Sequence, residues 1–227
     1  MKQTKIDWCD CTINPVVGCP RGCEYCYARI ICKRFGKKWG VEDFSKPQFF
    51  PERLKQLKSK KSKSIFMNSM SDIAYWEQGY WRKTKDAICR YRHHNYIFLT
   101  KSLNIELQNE AQYGNIFFGY TATSQKALDI LQKNDNCVSE TGFDFLNFEP
   151  ILEPISLEWI TDPIIKLIII GAETGNRKGK IIPKKEWVES IAKQADERGI
   201  AVFMKGSLRE IMGADFRQDK LIWEVSK

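Results

Sequence analysis

Short apolar runs rich in β-branched and aromatic residues recur along the chain, at Thr12 to Val17, Ser64 to Asn68, Tyr96 to Thr100, Ile116 to Tyr120, Phe143 to Phe148, Leu167 to Ile170 and Ala201 to Met204. Most are nearly continuous apolar stretches, as expected of strands buried on both faces, and few alternate apolar with polar. Between them the spacing turns helical. Trp81, Thr84, Ile88 and Tyr91 fall on one face, as do Ala127, Leu128 and Leu131, and as do Trp187, Val188, Ile191, Ala192 and Ala195. Strands alternating with helices predict a parallel α/β sheet. Crossovers long enough for a helix favour a partial (β/α) TIM-like barrel of six to seven parallel strands over a sandwich, with an open doubly wound sheet as the alternative. Residues 1–205 are assigned to the barrel and 206–227 to a cap or lid segment of the same domain.

Composition agrees with one globular domain: 227 residues, 43% apolar and 28% charged, a balance that excludes a disordered chain or a collagen-like fibre. Thirty-six Lys and Arg against 28 Asp and Glu leave a formal charge of +8, which favours anionic partners such as nucleic acid or nucleotides. The opening residues, Met1 to Cys9, have no apolar stretch for export, and the greasiest run, Ile164 to Ile170, is broken by Lys166. A cytoplasmic protein with no membrane span is expected. The five lysines between Lys55 and Lys63 suit a solvated helix end and turn.

Cysteine placement changes the picture more than charge does. Six of the eight cysteines, Cys9, Cys11, Cys19, Cys23, Cys26 and Cys32, lie between residues 9 and 32. A chain of this length without a signal peptide favours metal or catalytic thiolates over disulfides. The most specific signal is the loop 18–27, Gly18-Cys19-Pro20-Arg21-Gly22-Cys23-Glu24-Tyr25-Cys26-Tyr27, immediately after the first predicted strand. A cubane cluster normally takes four thiolates, so three from one loop leave an iron open to substrate or cofactor. Gly18, Pro20 and Gly22 suit a loop whose backbone N–H groups approach the cluster sulfurs. The competing reading is a zinc knuckle at Cys23 and Cys26 completed by Cys9, Cys11 or Cys32. His93 and His94, adjacent in a predicted helix, point apart and are expected at the surface; Cys89 and Cys137 are expected in the core.

Several predicted strands end in polar residues, at Ser69 to Asp72, Thr100-Lys101, Thr121 to Thr123, Glu149, Glu173 and Lys205, which a barrel would gather at one rim. These charges either serve a site or merely neutralise one another. Aromatics and bases interleave from Tyr75-Trp76 through Tyr80-Trp81-Arg82-Lys83 and Lys85 to Arg90-Tyr91-Arg92-His93-His94, as on nucleic-acid surfaces, although Trp81 and Tyr91 also fit a buried helix face. Arg177, Lys178, Lys180, Lys184 and Lys185, after the sixth strand, form the better phosphate candidate.

The spacing Cys19-x3-Cys23-x2-Cys26, with Tyr25 before the third cysteine and a strand before the loop, resembles the radical S-adenosylmethionine (SAM) superfamily. The stretches Ile6 to Trp8, Thr12 to Cys19, Ile65 to Asp72, Leu99 to Lys101, Phe145 to Leu152, Ile168 to Gly175 and Phe203 to Lys205 are similar to a small phage-associated family carrying the same three-cysteine motif. Where the superfamily commonly carries Gly-Gly-Glu, this chain has Asn68-Ser69-Met70-Ser71. The resemblance implies a [4Fe–4S] cluster on Cys19, Cys23 and Cys26 and reductive cleavage of SAM to a 5′-deoxyadenosyl radical that takes hydrogen from a substrate. It further implies Tyr25 near the adenine, Ser69 near the SAM amino group, Lys101 near its carboxylate, Thr121 or Glu149 at the ribose, and Glu173 and Lys205 as catalytic candidates toward the substrate. A nucleic acid or nucleotide is the expected substrate, and an electron donor such as flavodoxin or ferredoxin the expected partner. The alternative is a non-catalytic nucleic-acid-binding protein with a structural zinc or closed iron–sulfur site.

Overall fold

In the computed structural model, residues 3–103, 114–133, 143–160 and 165–224 are described; Cys137, Ile164 and residues 225–227 of the tail lie outside them. The chain divides into two compact units, Met1–Phe117 and Phe118–Lys227. In the first unit, β1 (Cys11–Thr12), β4 (Ser64–Phe66) and β5 (Asn95–Thr100) pair in parallel. The predicted strand Thr12 to Val17 is interrupted, because Pro15 has no N–H to donate to a ladder. Val16 and Val17 form a separate strand, β2, antiparallel to β3 (Gln48–Phe49), a strand with no signal in the sequence pattern. Asn68 prolongs the β4–β5 pairing with its side chain: its amide nitrogen donates to Leu99 O at 2.6 Å and its carbonyl oxygen accepts from Leu99 N at 3.0 Å.

Helix α1 spans Tyr27–Phe35 and α2 Gln78–Arg90. As the spacing predicts, α2 buries Trp81, Thr84 and Ile88; Trp81 meets Phe98 of β5 edge-on at 5.7 Å. Tyr91 lies just past the helix end. Both histidines follow α2 in a turn instead of lying in the helix; His93 is at the surface as expected, and His94 is not. His94 is fully buried with Nε2 against Leu57 O at 3.0 Å, while exposed His93 reaches Ser59 O at 2.7 Å. The lysine-rich segment starts in a 3-10 helix, Pro51–Lys58, which buries only Leu54 and Leu57, and Lys60, Lys61 and Lys63 follow the helix end.

In the second unit, β6 (Ile116–Thr121, beginning at the unit boundary), β7 (Phe145–Phe148), β8 (Leu167–Ile170) and β9 (Ala201–Met204) pair in parallel, with α3 (Gln125–Lys133) and α4 (Lys185–Asp196) as the described crossover helices. Every residue of β7 and β8 is buried. That is why these runs lack polar alternation. Gly119 lets β6 approach β7: a Cβ there would stand 2.3 Å from the Phe145 ring. The tail continues through a 3-10 turn and α5 (Arg209–Met212), then runs beside β9, where Asp219 accepts from Val202 N and Met204 N donates to Arg217 O. Leu221 and Trp223 bury their side chains, Trp223 5.1 Å from Phe145.

The sheet order is β1-β4-β5-β6-β7-β8-β9. Apart from the β2–β3 pair, each strand neighbours its successor, with no reversal of direction along the sheet. A doubly wound sheet requires such a reversal, and this strand order has none.

Candidate site at the three-cysteine loop

The loop leaves β2 at Gly18, which has φ +119° and whose absent Cβ would sit 2.6 Å from Lys46 O; a side chain is excluded twice over. Gly18 N donates to Met70 O, and Cys19 N to Phe44 O at 2.6 Å. Gly22, at φ +79°, turns the chain back toward Cys23, and Cys26 caps α1 by accepting from Arg29 N at Sγ, 3.4 Å away. Cys19 and Cys26 are half-buried against Val17, Ala28, Cys32, Val41, Phe44 and Met70. Burial pushes the Cys19 thiol up to about 11; the Arg21 backbone N–H opposes that shift, while the Asp72 carboxylate and the neighbouring Cys23 and Cys26 add to it. Any metal bound there displaces a proton from Cys19.

Beside this loop, the segment after β4 is tied down by residues that the sequence reading gave little weight. Asn14 Oδ1 accepts from Ser69 Oγ at 3.0 Å and from Met70 N at 2.9 Å; Tyr27 Oη, at the start of α1, donates to Ser69 O at 2.7 Å. Because the Ser69 hydroxyl donates to Asn14, its oxygen keeps a lone pair for a ligand donor. Buried Asp72 takes three hydrogen bonds, from Ala74 N at 3.1 Å, Thr100 Oγ1 at 2.7 Å and Lys101 N at 3.0 Å. This fixes the start of the loop after β5. The Lys101 ammonium stands 5.4 Å from the centre of the Tyr25 ring. Tyr25, Tyr27, Ser69, Lys101 and the three thiols thus belong to one region of the first unit.

In the second unit, buried Thr121 accepts from Asn147 Nδ2 at 3.3 Å, and Asn147 Oδ1 is buried with no hydrogen-bond partner. Glu149 pairs with Lys205, both packed over Gly171, where a Cβ would stand 3.0 Å from Lys205 Cδ. Glu173 is buried and bidentate to Arg177, at 2.6 and 2.8 Å, which holds its carboxyl below the usual range. Mutual neutralisation therefore describes Glu149 with Lys205, whereas Glu173 draws its counter-ion from its own loop. Arg177 is committed to Glu173, and Lys185 to Asp215 and Glu189, leaving Lys178, Lys180 and Lys184 as the exposed cations of that cluster.

Seven cysteines, Cys9, Cys11, Cys19, Cys23, Cys26, Cys32 and Cys89, are free thiols. Cys11 and Cys32 are buried, and Cys89 is only half-buried. Among the described residues no three His, Cys, Asp or Glu side chains converge as a cage for a single metal ion. The donor set suits a thiolate-bound cluster on two counts. Three soft ligands lie in one loop, and the Cys26 sulfur already accepts a backbone N–H bond, from Arg29, of the kind that stabilises thiolate charge. Among the described residues no helix is long and apolar enough to cross a membrane.

Fold and site together define a mixed α/β protein with a sequentially ordered parallel sheet and a cysteine-rich loop at the carboxyl side of its first strands. Residues 3–213 match the model of a family described as "Protein of unknown function (DUF5131)", and the chain belongs to that family. It is also similar to "Uncharacterized protein MJ0683" of Methanocaldococcus jannaschii, 41% identical over 73 residues; the match covers 32% of this chain and 27% of that protein. No solved structure matches.

Proposed function

We propose that the chain is a radical-SAM-type enzyme in which Cys19, Cys23 and Cys26 hold a [4Fe–4S] cluster with one iron left open for SAM. The observation that carries this reading is the loop itself: three thiols in ten residues, wrapped by Gly18 and Gly22, with a backbone N–H bond to the Cys26 sulfur. Cluster and SAM together supply a reductively generated radical able to take hydrogen from an unactivated carbon. The chain's own groups bind and orient. Lys101 and Tyr25 offer a cation beside an aromatic face, suited to a ligand that is both anionic and aromatic. Ser69, oriented by Asn14, offers a hydroxyl oxygen to an ammonium group. Thr121 and Glu149 are proposed for ribose hydroxyls, and Glu173 and Lys205 for the substrate. The +8 charge supports a nucleic acid or nucleotide as substrate, and the reduction calls for an electron donor such as flavodoxin or ferredoxin.

Serine variants test the ligand set. After anaerobic purification, Cys19→Ser, Cys23→Ser and Cys26→Ser are each expected to lose nearly all iron, while Cys11→Ser and Cys32→Ser keep it. Equal loss in Cys11→Ser or Cys32→Ser would mean a fourth thiolate closes the site. Stoichiometric zinc in place of iron would favour the non-catalytic reading.

A further inference from the structure

The first unit has an open concavity of about 500 Å3, lined by Gly40, Gln48, Phe49, Phe50, Pro51 and Tyr80. That volume lies within the range of about 300–1,000 Å3 typical of ligand sites. Aromatic rings dominate its wall. Phe49 and Tyr80 stack at 5.0 Å with only 10° between their planes, and the Arg53 guanidinium lies 4.3 Å over Phe50. The Lys83 ammonium is 5.8 Å from the Phe49 ring centre. Of the interleaved aromatic and basic run, Trp76 and Trp81 are buried in the core, but Tyr80 lines this concavity and Lys83, three residues on in α2, stands beside its Phe49 ring.

Charge leads into it. From Tyr25 to Val41 there is no acidic residue and there are five cations, Arg29, Lys33, Arg34, Lys37 and Lys38, the last two exposed in the turn that ends at Gly40. At the aromatic wall Glu77 accepts from Tyr80 Oη at 3.0 Å, and Glu42 and Glu52 lie close in sequence to the lining residues Gly40 and Pro51. Phe50 N donates to Pro15 O, and β3 pairs with the strand that feeds Gly18, so the concavity lies one strand from the thiol loop.

We infer that this concavity binds single-stranded nucleic acid, with an unpaired base stacking on the Phe49–Tyr80 rings and its phosphates held by Lys37, Lys38 and Lys83. Stacked rings accept any base because every base has a π-face, and lysines beside them follow the backbone. A duplex keeps its bases inside and cannot present one to the rings. An acidic protein would satisfy the lysines and leave the parallel rings without a matching group. The inference deepens the substrate half of the proposed function and rests on that reading for its catalytic meaning; binding itself requires no cluster.

The test is fluorescence anisotropy of a labelled 20-nucleotide single strand, DNA and RNA, against the full-length protein over a salt series. Binding is expected to weaken with added salt, and the duplex of the same sequence to bind more weakly than the single strand. Tyr80→Ala should weaken binding by about 5- to 150-fold, from the cost of losing one base–aromatic stack, while Tyr80→Phe retains it. Should Tyr80→Ala misfold by circular dichroism, the surface pair Lys37→Glu with Lys38→Glu decides. Two lost phosphate contacts should make the slope of log K against log salt shallower by about 1.4. No binding, equal binding of duplex, unchanged affinity in Tyr80→Ala, or equally effective competition by polyglutamate would overturn the inference. Iron content measured on the same samples separates the two claims: iron lost with binding intact strikes the thiol assignment alone, and binding lost with iron intact strikes this site alone.

Discussion

Asp72 allows the tightest prediction, because its two carboxylate oxygens are used differently. Oδ1 accepts from Ala74 N and Thr100 Oγ1, and Oδ2 from Lys101 N. In Asp72→Ala the Thr100 hydroxyl still has Ser102 O, at 3.4 Å, but the Ala74 and Lys101 N–H groups lose their acceptor. An orphaned buried donor costs about 1–3 kcal/mol, and both groups are half-buried, so the loss should be about 2–4 kcal/mol. Asp72→Asn keeps an oxygen for Ala74 and Thr100 and turns an amide NH2 toward Lys101 N–H. One bond then becomes a donor–donor contact, at about 1–3 kcal/mol. Equilibrium urea unfolding followed by far-UV circular dichroism and tryptophan fluorescence reads both. With a slope of about 2 kcal/mol per molar, the midpoint should fall by about 1–2 M for alanine and by roughly 0.5–1.5 M for asparagine. An asparagine variant as stable as the parent would refute the bond from Lys101 N to Oδ2, and with it the anchoring of Lys101 beside Tyr25.

Three other substitutions or conditions probe the rest of the chain. Burial holds the His94 imidazole below its ordinary value, so its share of stability is complete above the unfolded pKa, about 6.5, and is lost as pH falls through the lower folded pKa. Urea midpoints should therefore drop from pH 7 to pH 5 in the parent and less in His94→Gln; equal drops would count against a buried neutral imidazole. Arg177→Ala leaves the buried Glu173 carboxylate without its bidentate partner, and should cost about 1.5–3 kcal/mol at pH 7, less below the carboxylate range where Glu173 takes up a proton. A loss independent of pH would contradict the pairing. Gly119→Ala forces a methyl group into the Phe145 ring and should destabilise the second unit by about 1–3 kcal/mol or more, measured by thermal unfolding; an unchanged midpoint would mean that β6 and β7 do not approach so closely.

Much of the fold was legible because buried parallel strands write themselves as apolar runs: Leu167–Ile170 and Ala201–Met204 match their strands residue for residue. What failed had local physical causes. Pro15 breaks a run that otherwise reads as one strand, and β3 is two residues long, too short for any periodicity. His94 looked like a surface residue because helix α2 was read one turn too far; the chain turns at Tyr91 and drops the ring against Leu57 O. At the site, the thiols announced themselves by spacing. Asn14 and Tyr27 did not, since their roles depend on contacts to Ser69, 55 and 42 residues away, that no sequence window spans. The aromatic concavity was half visible. Tyr80 and Lys83 stood in the basic–aromatic run, but Phe49 joins them only through the β2–β3 pairing.

The open iron is the central claim, and electron paramagnetic resonance of the anaerobically prepared, dithionite-reduced protein tests it most directly. A [4Fe–4S]+ signal whose shape shifts when SAM is added is the result expected of three-cysteine ligation by Cys19, Cys23 and Cys26. A cluster signal unmoved by SAM, or a protein that carries zinc and no iron, would contradict it.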